Sequence, residues 1–205
     1  MINIYTIANA PSLASSAAVC LLLLEELGVE YSKIPVDFST GSHKKEEYTK
    51  LNPNGKIPCI DDDGFILWES MAINDYLCLK YKPEMLGKEL QDKALISQWN
   101  YWGLSEYRGQ VVTIFVYSRM PEDKKNPKAV ESAMKRIGVL NELLEKELEG
   151  KEYLVGNTFT LADLNVGFAI WMTSRLNIDI SNLPNLSKYV ASFTKRDAFQ
   201  KLSKG

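Results

Sequence analysis

Residues 52–70 constrain the fold of this chain more than any other stretch, and they read NPNGKIPCIDDDGFILWES. The opening Asn-Pro-Asn-Gly is typical of a tight turn, because Pro presets one backbone dihedral and Asn-Gly tolerates positive φ. Two apolar runs, 57–60 and 65–68, then bracket an Asp-Gly pair, which indicates a β-hairpin. Ser70 opens an apolar-periodic segment. The stretch therefore predicts a turn, a hairpin and a helix in direct succession.

Pro58 lacks an N–H for a strand ladder, so it belongs at the start of a strand, and the Ile57-Pro58 bond is a candidate for cis. A cis bond would turn the N–H and C=O of Ile57 outward, where they could pair with an extended ligand backbone. A helix that begins at Ser70 offers free N–H groups and a hydroxyl that suit a carboxylate. The combination predicts a site for a small peptide-like thiol.

The first part of the chain reads as a β-α-β-α-β-β-α domain. Period-two apolar patterns predict strands at 2–7 and 31–36, on either side of a helix at 12–27 that Gly28 closes. A short polar helix at 44–50, the hairpin and a helix at 70–80 follow. This order is the one expected of a thioredoxin-like domain.

The second part reads as all-helical. Apolar residues at helical spacing predict helices at 92–117 and 128–148. Thr160-Leu161-Ala162-Asp163 forms a capping box that starts a helix through Trp171. The expected fold is α/β plus all-α, with a thioredoxin-like domain at 1–82, a linker at 83–88 and a helical domain at 89–205.

Composition excludes several classes of function. The chain has 24 basic and 26 acidic residues, a net charge of −2, which gives no electrostatic basis for binding nucleic acid. Three dispersed cysteines and one histidine do not form a metal site or a catalytic triad. Neither a signal peptide nor a membrane span is recognisable. We expect a cytoplasmic protein without a metal.

The motif Asn-Pro-x-Gly-Lys-Ile-Pro, followed by a hairpin and Glu-Ser-x-Ala-Ile, resembles the glutathione-binding half of the cytosolic glutathione transferase superfamily. The pair His43-Lys44 precedes Pro58 as it does in the phi-like and related serine-type classes. Residues 156–163 are similar to the buried helix-capping segment of that family. The resemblance covers nearly the whole chain and implies the glutathione transferase fold, with glutathione as co-substrate and no other cofactor.

The resemblance also implies a role for each part of the motif. Glu69 and Ser70 would hold the γ-glutamyl end of glutathione, and Ile57 before Pro58 would hold the cysteinyl backbone. The glycyl carboxylate would be held by three basic residues: His43, Lys44 and Lys56. A homodimer is expected across the helices that begin at Ser70 and near Asp92, although Asn54 replaces the large aromatic residue that often keys this dimer.

The residue that would ionise the thiol is less defined. The serine of the serine-type classes falls on Ala14 when counted back from Gly28, and near Ala10 when counted forward from the first strand. We place Ser12 first and Ser15 second as the hydroxyl donor, beside the alternative that no serine is catalytic. Pro11 stands where the bacterial beta-class enzymes carry a cysteine, which disfavours cysteine-dependent redox chemistry.

Two further candidates are Tyr5, as the hydroxyl donor of the tyrosine classes, and Cys59, as a nucleophile. Tyr5 falls inside the first strand, where packing is expected, and Cys59 lies in an apolar strand, which favours a buried structural thiol. The wall of a second-substrate pocket would include residues of the aromatic helix at 99–117. The alternative for each of them is a position in the protein core. These candidates are Tyr101, Trp102, Tyr107 and Arg108.

The leading hypothesis is a transferase that activates glutathione as a thiolate, for conjugation to a hydrophobic electrophile or for reduction of a peroxide. The alternative is a non-catalytic scaffold of the same fold, or a regulatory protein-binding module. The intact Ile57-Pro58 and Glu69-Ser70 pairs favour retained glutathione binding, whereas the irregular serine segment keeps the scaffold possible.

Overall fold

A computed structural model describes residues 1–176 and 178–204. The chain divides into an N-terminal unit, Met1–Met85 together with the segment from Arg196, and a helical unit, Leu86–Lys195. The elements in chain order are β1 (Ile2–Ile7), α1 (Ala18–Leu27), β2 (Tyr31–Val36), α2 (Glu46–Thr49), β3 (Cys59–Asp62), β4 (Phe65–Trp68), α3 (Ser70–Tyr81), α4 (Leu90–Trp102), α5 (Gly109–Arg119), α6 (Pro127–Glu147), α7 (Leu161–Ser174), α8 (Pro184–Thr194) and α9 (Asp197–Ser203).

The N-terminal unit contains a four-stranded sheet in the order β2-β1-β3-β4. β1 pairs in parallel with β2, and β3 runs antiparallel to both β1 and β4. The β3–β4 hairpin turns through Asp63 and Gly64, both at positive φ, which the Asp-Gly pair tolerates. The thioredoxin-like order predicted from the sequence is confirmed.

Apolar residues cover both faces of the sheet. Ile2 and Ile4 of β1 are buried, as is almost the whole of α1. On the other face Tyr48 of α2 packs with Val36 and Cys59. The C-terminal helix α9 belongs to this unit and is anchored to α1 by ion pairs, Arg196 to Glu26 and Lys201 to Glu25.

Three predicted boundaries in this unit are wrong. The predicted helix at 12–27 is broken: Ser12–Ala14 form a single 3₁₀ turn, Ser15 is extended with φ −131° and ψ 173°, and α1 begins only at Ala18. An extended residue cannot continue a helical hydrogen-bond ladder. The first strand of the hairpin begins at Cys59, since Pro58 cannot donate to the ladder, and the helix predicted at 44–50 is confined to α2.

In the helical unit a π-helical segment, Gly103–Arg108, joins α4 to α5. The predicted capping box is formed, with Thr160 as N-cap of α7 and Asp163 three residues later. Asp163 is fully buried and accepts hydrogen bonds from Leu154, Thr160 and Tyr189. Within the described residues, no helix has the length and apolar character required to cross a membrane.

Candidate functional site

The turn before β3 is built from hydrogen bonds that converge on Asn52 and Lys56. The Asn52 carbonyl accepts from the Gly55 N–H at 2.9 Å. The Asn52 side-chain amide and the Tyr48 hydroxyl both donate to the Lys56 carbonyl, at 2.6 and 2.7 Å. These bonds fix the backbone immediately before Ile57.

The Ile57-Pro58 peptide bond is cis, as predicted. Across residues 1–176 and 178–204 the Ile57 N–H makes no hydrogen bond, and Ile57 is partly exposed. This N–H lies at an accessible strand end. A bound peptide backbone can therefore supply its missing acceptor.

The Ile57 carbonyl accepts a hydrogen bond from the Ser16 hydroxyl at 2.7 Å. Ser16 is therefore the serine of the strand-to-helix segment that reaches the backbone before Pro58. Ser16 is not among the predicted site residues, because its partner lies 41 positions away and no local motif distinguishes Ser16 from Ser15.

The two predicted serines make other contacts. The Lys33 ammonium donates to the Ser12 hydroxyl oxygen at 2.7 Å, and the Ser15 hydroxyl oxygen accepts from the Ala17 N–H at 3.2 Å. Both line a cavity of about 280 Å³ that also includes Thr6 and Lys33. No hydrogen bond joins either hydroxyl to Ile57 in the described structure.

His43 lies beside the same turn. Its ring stacks on Phe38 with centroids 4.2 Å apart and planes 10° apart, and its Nδ1 is buried without a hydrogen-bond partner in the described structure. Gly55 has φ +60°, and a Cβ there would lie 2.7 Å from the His43 carbonyl oxygen. Only glycine allows this approach without displacement of backbone. Lys44 follows His43 and Lys56 follows Gly55 in the sequence, and both side chains are exposed.

Glu69 and Ser70 form the start of α3. Glu69 is the N-cap, with φ 75° and ψ 117°, a region that a non-glycine residue adopts at a cost and that is frequent at functional sites. Ser70 is the first helical residue and is buried, and its carbonyl accepts from the Cys20 thiol at 3.6 Å. The acidic side chain of Glu69 is exposed.

Cys59 and Tyr5 are packing residues. Burial raises the pKa of the Cys59 thiol to about 11, and the side chain is fully buried, so its thiolate is scarce at neutral pH. Tyr5 packs against Tyr48 with ring centroids 5.7 Å apart, and partial burial raises the pKa of its hydroxyl. Neither arrangement suits the activation of a bound thiol.

The predicted second-substrate residues separate into two groups. Tyr107 is fully buried, and its hydroxyl donates to Asn141 at 2.7 Å, so it is a core residue without surface to offer a ligand. Tyr101 is 66% exposed, whereas Trp102 and Arg108 are half-buried. No group of histidine, cysteine, aspartate or glutamate side chains among the described residues could hold a metal ion.

Comparisons with known proteins agree with this geometry. Family models match residues 12–78, as the N-terminal domain of glutathione S-transferase, and 109–197, as the C-terminal domain. A probable glutathione S-transferase GSTF2 of Oryza sativa subsp. japonica is 32% identical over 155 residues, which cover 71% of this chain and 70% of the relative.

Two solved structures extend the likeness over the whole fold. A theta class glutathione S-transferase from Xanthomonas axonopodis pv. citri with glutathione bound is 29% identical, with a TM-score of 0.86 over 98% of this chain and 95% of that one. The glutathione transferase URE2P6 from Phanerochaete chrysosporium, in complex with oxidized glutathione, is 28% identical, with a TM-score of 0.87 over 99% and 94%.

Proposed function

The chain belongs to the glutathione S-transferase family, and on that premise we propose that it is an enzyme that binds glutathione and transfers it as a thiolate. The observation that carries this proposal is the meeting of Ser16 and the cis Ile57-Pro58 step. It brings a hydroxyl to the carbonyl of Ile57, whose backbone N–H has no partner among the described residues. A peptide thiol needs both, one for its backbone and one for its sulfur.

We propose that the cysteinyl backbone of glutathione pairs with Ile57 as a short added strand. The cysteinyl N–H would then compete with Ser16 for the Ile57 carbonyl. Once released from that carbonyl, the Ser16 hydroxyl can donate to the sulfur. Binding and thiol activation would thus be coupled through one carbonyl oxygen.

Ser16 is therefore the first candidate for the thiolate donor, ahead of Ser12 and Ser15. A thiol with a reference pKa of about 8.5 is mostly protonated at neutral pH. To lower that pKa by one or two units requires about 1.4 to 2.7 kcal/mol of preferential thiolate stabilisation. A hydrogen bond to a charged group supplies about 1.5 to 3 kcal/mol, so one hydroxyl is sufficient.

The two ends of glutathione would be held by charge and by helix geometry. His43, Lys44 and Lys56 provide donors for the glycyl carboxylate, and the contact of Gly55 with the His43 backbone supports their placement together. At the other end the Glu69 carboxylate would hold the γ-glutamyl ammonium. Ser70, at the N-terminus of α3, would receive the γ-glutamyl carboxylate.

The electrophile is proposed only by class. Tyr101 and Trp102 offer apolar surface, and Arg108 offers a cation, which suits a hydrophobic electrophile with a polar substituent. Reduction of a peroxide by the same thiolate is the second reaction that this site would allow, because it requires only a positioned nucleophile.

We further propose a cytoplasmic homodimer. Leu79 of α3 and Leu90 and Leu95 of α4 are 64%, 78% and 44% exposed, and apolar surface of this kind favours a protein interface. Cys20, Cys59 and Cys78, the three cysteines of the described chain, form no disulfide, which agrees with a reducing compartment. Sedimentation at micromolar concentration would test the dimer: a monomer under those conditions would exclude an obligate interface.

The function is tested by titration of the protein with reduced glutathione across pH, followed by the ultraviolet absorbance of the thiolate. We expect the bound thiol to ionise near neutral pH. S-methylglutathione, which cannot ionise, is the matched control and should bind without this signal. Binding of glutathione without ionisation would instead favour a non-catalytic scaffold, and absence of binding would overturn the proposal.

A further inference from the structure

Phe38 lies in the loop between β2 and α2 and is 37% exposed. Its ring stacks almost parallel on the imidazole of His43, with centroids 4.2 Å apart and planes 10° apart. Phe38 is not part of the core that Val36, Tyr48 and Cys59 form on this face of the sheet. The Phe38 ring therefore lies outside that core and contacts the imidazole of His43.

The backbone of this loop is fixed on both sides of Phe38. The Ser42 N–H donates to the Asp37 carbonyl at 3.0 Å, and the Gly41 N–H donates to the Phe38 carbonyl at 3.3 Å. The Asp37 carboxylate also accepts from the N–H of Ser39 at 2.8 Å. These hydrogen bonds hold the backbone from which the Phe38 ring extends over His43.

The imidazole is held in one orientation between this ring and the turn at Gly55. The His43 Nδ1 is buried and has no hydrogen-bond partner in the described part of the chain, and the His43 backbone lies against Gly55. A nitrogen turned into the protein cannot donate to a ligand, so Nε2 is the nitrogen that can reach an anion. With a proton on Nε2 the ring turns its N–H toward the ligand, and Nδ1 is not a buried N–H without an acceptor.

We propose that Phe38 is a positioning residue for the glycyl carboxylate of glutathione. It acts through His43, whose imidazole plane it fixes so that Nε2 faces the carboxylate. The inference rests on the proposed function and adds a residue outside the predicted binding set. Loss of the Phe38 ring should free the imidazole and weaken binding of the glycyl end alone.

The test compares glutathione with γ-glutamylcysteine, which lacks the glycine, by calorimetric titration of the full chain. In Phe38→Ala we expect the Kd for glutathione to rise about 3- to 10-fold, the range that corresponds to loss of one stacked aromatic pair. The Kd for γ-glutamylcysteine should not change. The value of kcat at saturating glutathione should also stay the same, and Phe38→Tyr, which keeps the ring, should restore the wild-type Kd.

Two further variants make the test specific. Phe65 is also exposed and packs against another aromatic residue, Tyr76, with the ring planes 41° apart. It lies on β4, the edge strand opposite β2, so Phe65→Ala is the matched control and should leave both Kd values unchanged. If Phe38 acts through His43, then Phe38→Ala should add nothing to His43→Ala.

The outcomes separate this inference from the proposed function. The role of Phe38 would be overturned if Phe38→Ala weakened the binding of both thiols equally, or if its effect on the Kd for glutathione added fully to that of His43→Ala. Glutathione binding by the wild type would still stand. Failure of the wild-type protein to bind either thiol would overturn the proposed function, and the role of Phe38 with it.

Discussion

Helices α7 and α1 begin in opposite ways. The start of α7 is closed within four residues, because Thr160 and Asp163 satisfy each other's backbone N–H groups. At the start of α1, no side chain of the described residues makes a capping hydrogen bond. The serines before it make contacts that are mostly distant in the sequence, Ser12 with Lys33 and Ser16 with Ile57.

This difference decides what each start can do. A cap that satisfies its own donors stabilises the fold and leaves no polar group for a ligand. At α1 the hydroxyls are committed to single, partly exposed hydrogen bonds, and a ligand can replace such bonds at low cost. We therefore expect the α7 start to matter for stability and the α1 start for chemistry.

The largest effect should follow removal of the Asp163 carboxylate. Asp163→Ala removes the acceptor of the buried Leu154 and Thr160 N–H groups and of the Thr160 hydroxyl, whereas the Tyr189 hydroxyl keeps the main-chain carbonyl of residue 163 at 3.4 Å. We expect a loss of about 3 to 7 kcal/mol in the free energy of unfolding, because each of the two buried N–H groups left unsatisfied costs about 1 to 3 kcal/mol and the cap about 1. Urea denaturation would measure it.

Asp163→Asn should lose less, because it keeps the volume and one acceptor oxygen. Burial raises the pKa of Asp163, and its hydrogen bonds act in the opposite direction. Asp179→Ala is the control, since that exposed carboxylate accepts from Ser181 at the surface, and no measurable change is expected there. If Asp163→Ala lowered the free energy of unfolding no more than Asp179→Ala, the stabilising role of the α7 start would be contradicted.

The next effect concerns activity. Ser16→Ala should raise the pKa of the bound thiol by about one to two units and lower kcat/KM by about 10- to 100-fold, because the thiolate loses its hydroxyl donor. The pH dependence of thiolate absorbance and the kinetics of conjugation would measure both. The rate should recover at high pH, where the thiol ionises without assistance.

Ser16→Thr keeps a hydroxyl and is the matched control, with most of the activity retained. Ser16→Ala should reduce the free energy of unfolding by only about 1 kcal/mol, the usual net value of one hydrogen bond. An unchanged thiol pKa in Ser16→Ala would exclude Ser16 as the donor.

The same distinction between local and distant contacts explains how much the sequence could predict. The hairpin at Asp63-Gly64, the cis bond at Pro58 and the Thr160 capping box all depend on adjacent residues, and all three were predicted correctly. The beginning of α1 was not, because Ser15 becomes extended within a segment whose hydroxyls bond to distant residues.

The candidate site shows the same limit. Its backbone could be located from the Ile-Pro motif, and the family resemblance indicated the charged residues around it. Ser16 could not be singled out, because its partner Ile57 is brought to it only by the fold. The stacking of Phe38 on His43 depends on the conformation of a loop, and no sequence motif predicts that conformation.

A smaller effect is expected for Ser15, the one serine of this segment with a local contact. Its hydroxyl oxygen accepts from the Ala17 N–H just before α1, so Ser15→Ala should lower the free energy of unfolding by about 0.5 to 1 kcal/mol, the net value of one such hydrogen bond. The pKa of the bound thiol should be unchanged. A shift in that pKa comparable with the one expected for Ser16→Ala would identify Ser15 as the donor instead.

The smallest effect should come from Ser12. Its oxygen accepts from Lys33 in an exposed contact, and such surface pairs contribute about 0 to 1 kcal/mol. Ser12→Ala should therefore alter neither the free energy of unfolding nor the thiol pKa beyond error, and Lys33→Gln should behave the same way. Thiolate absorbance and urea denaturation of the two variants would measure this. If Ser12→Ala abolished the thiolate signal while Ser16 was intact, the Ser12 hydroxyl beside Lys33 would be the thiolate donor. The bond between Ser16 and Ile57 would then have a structural role alone.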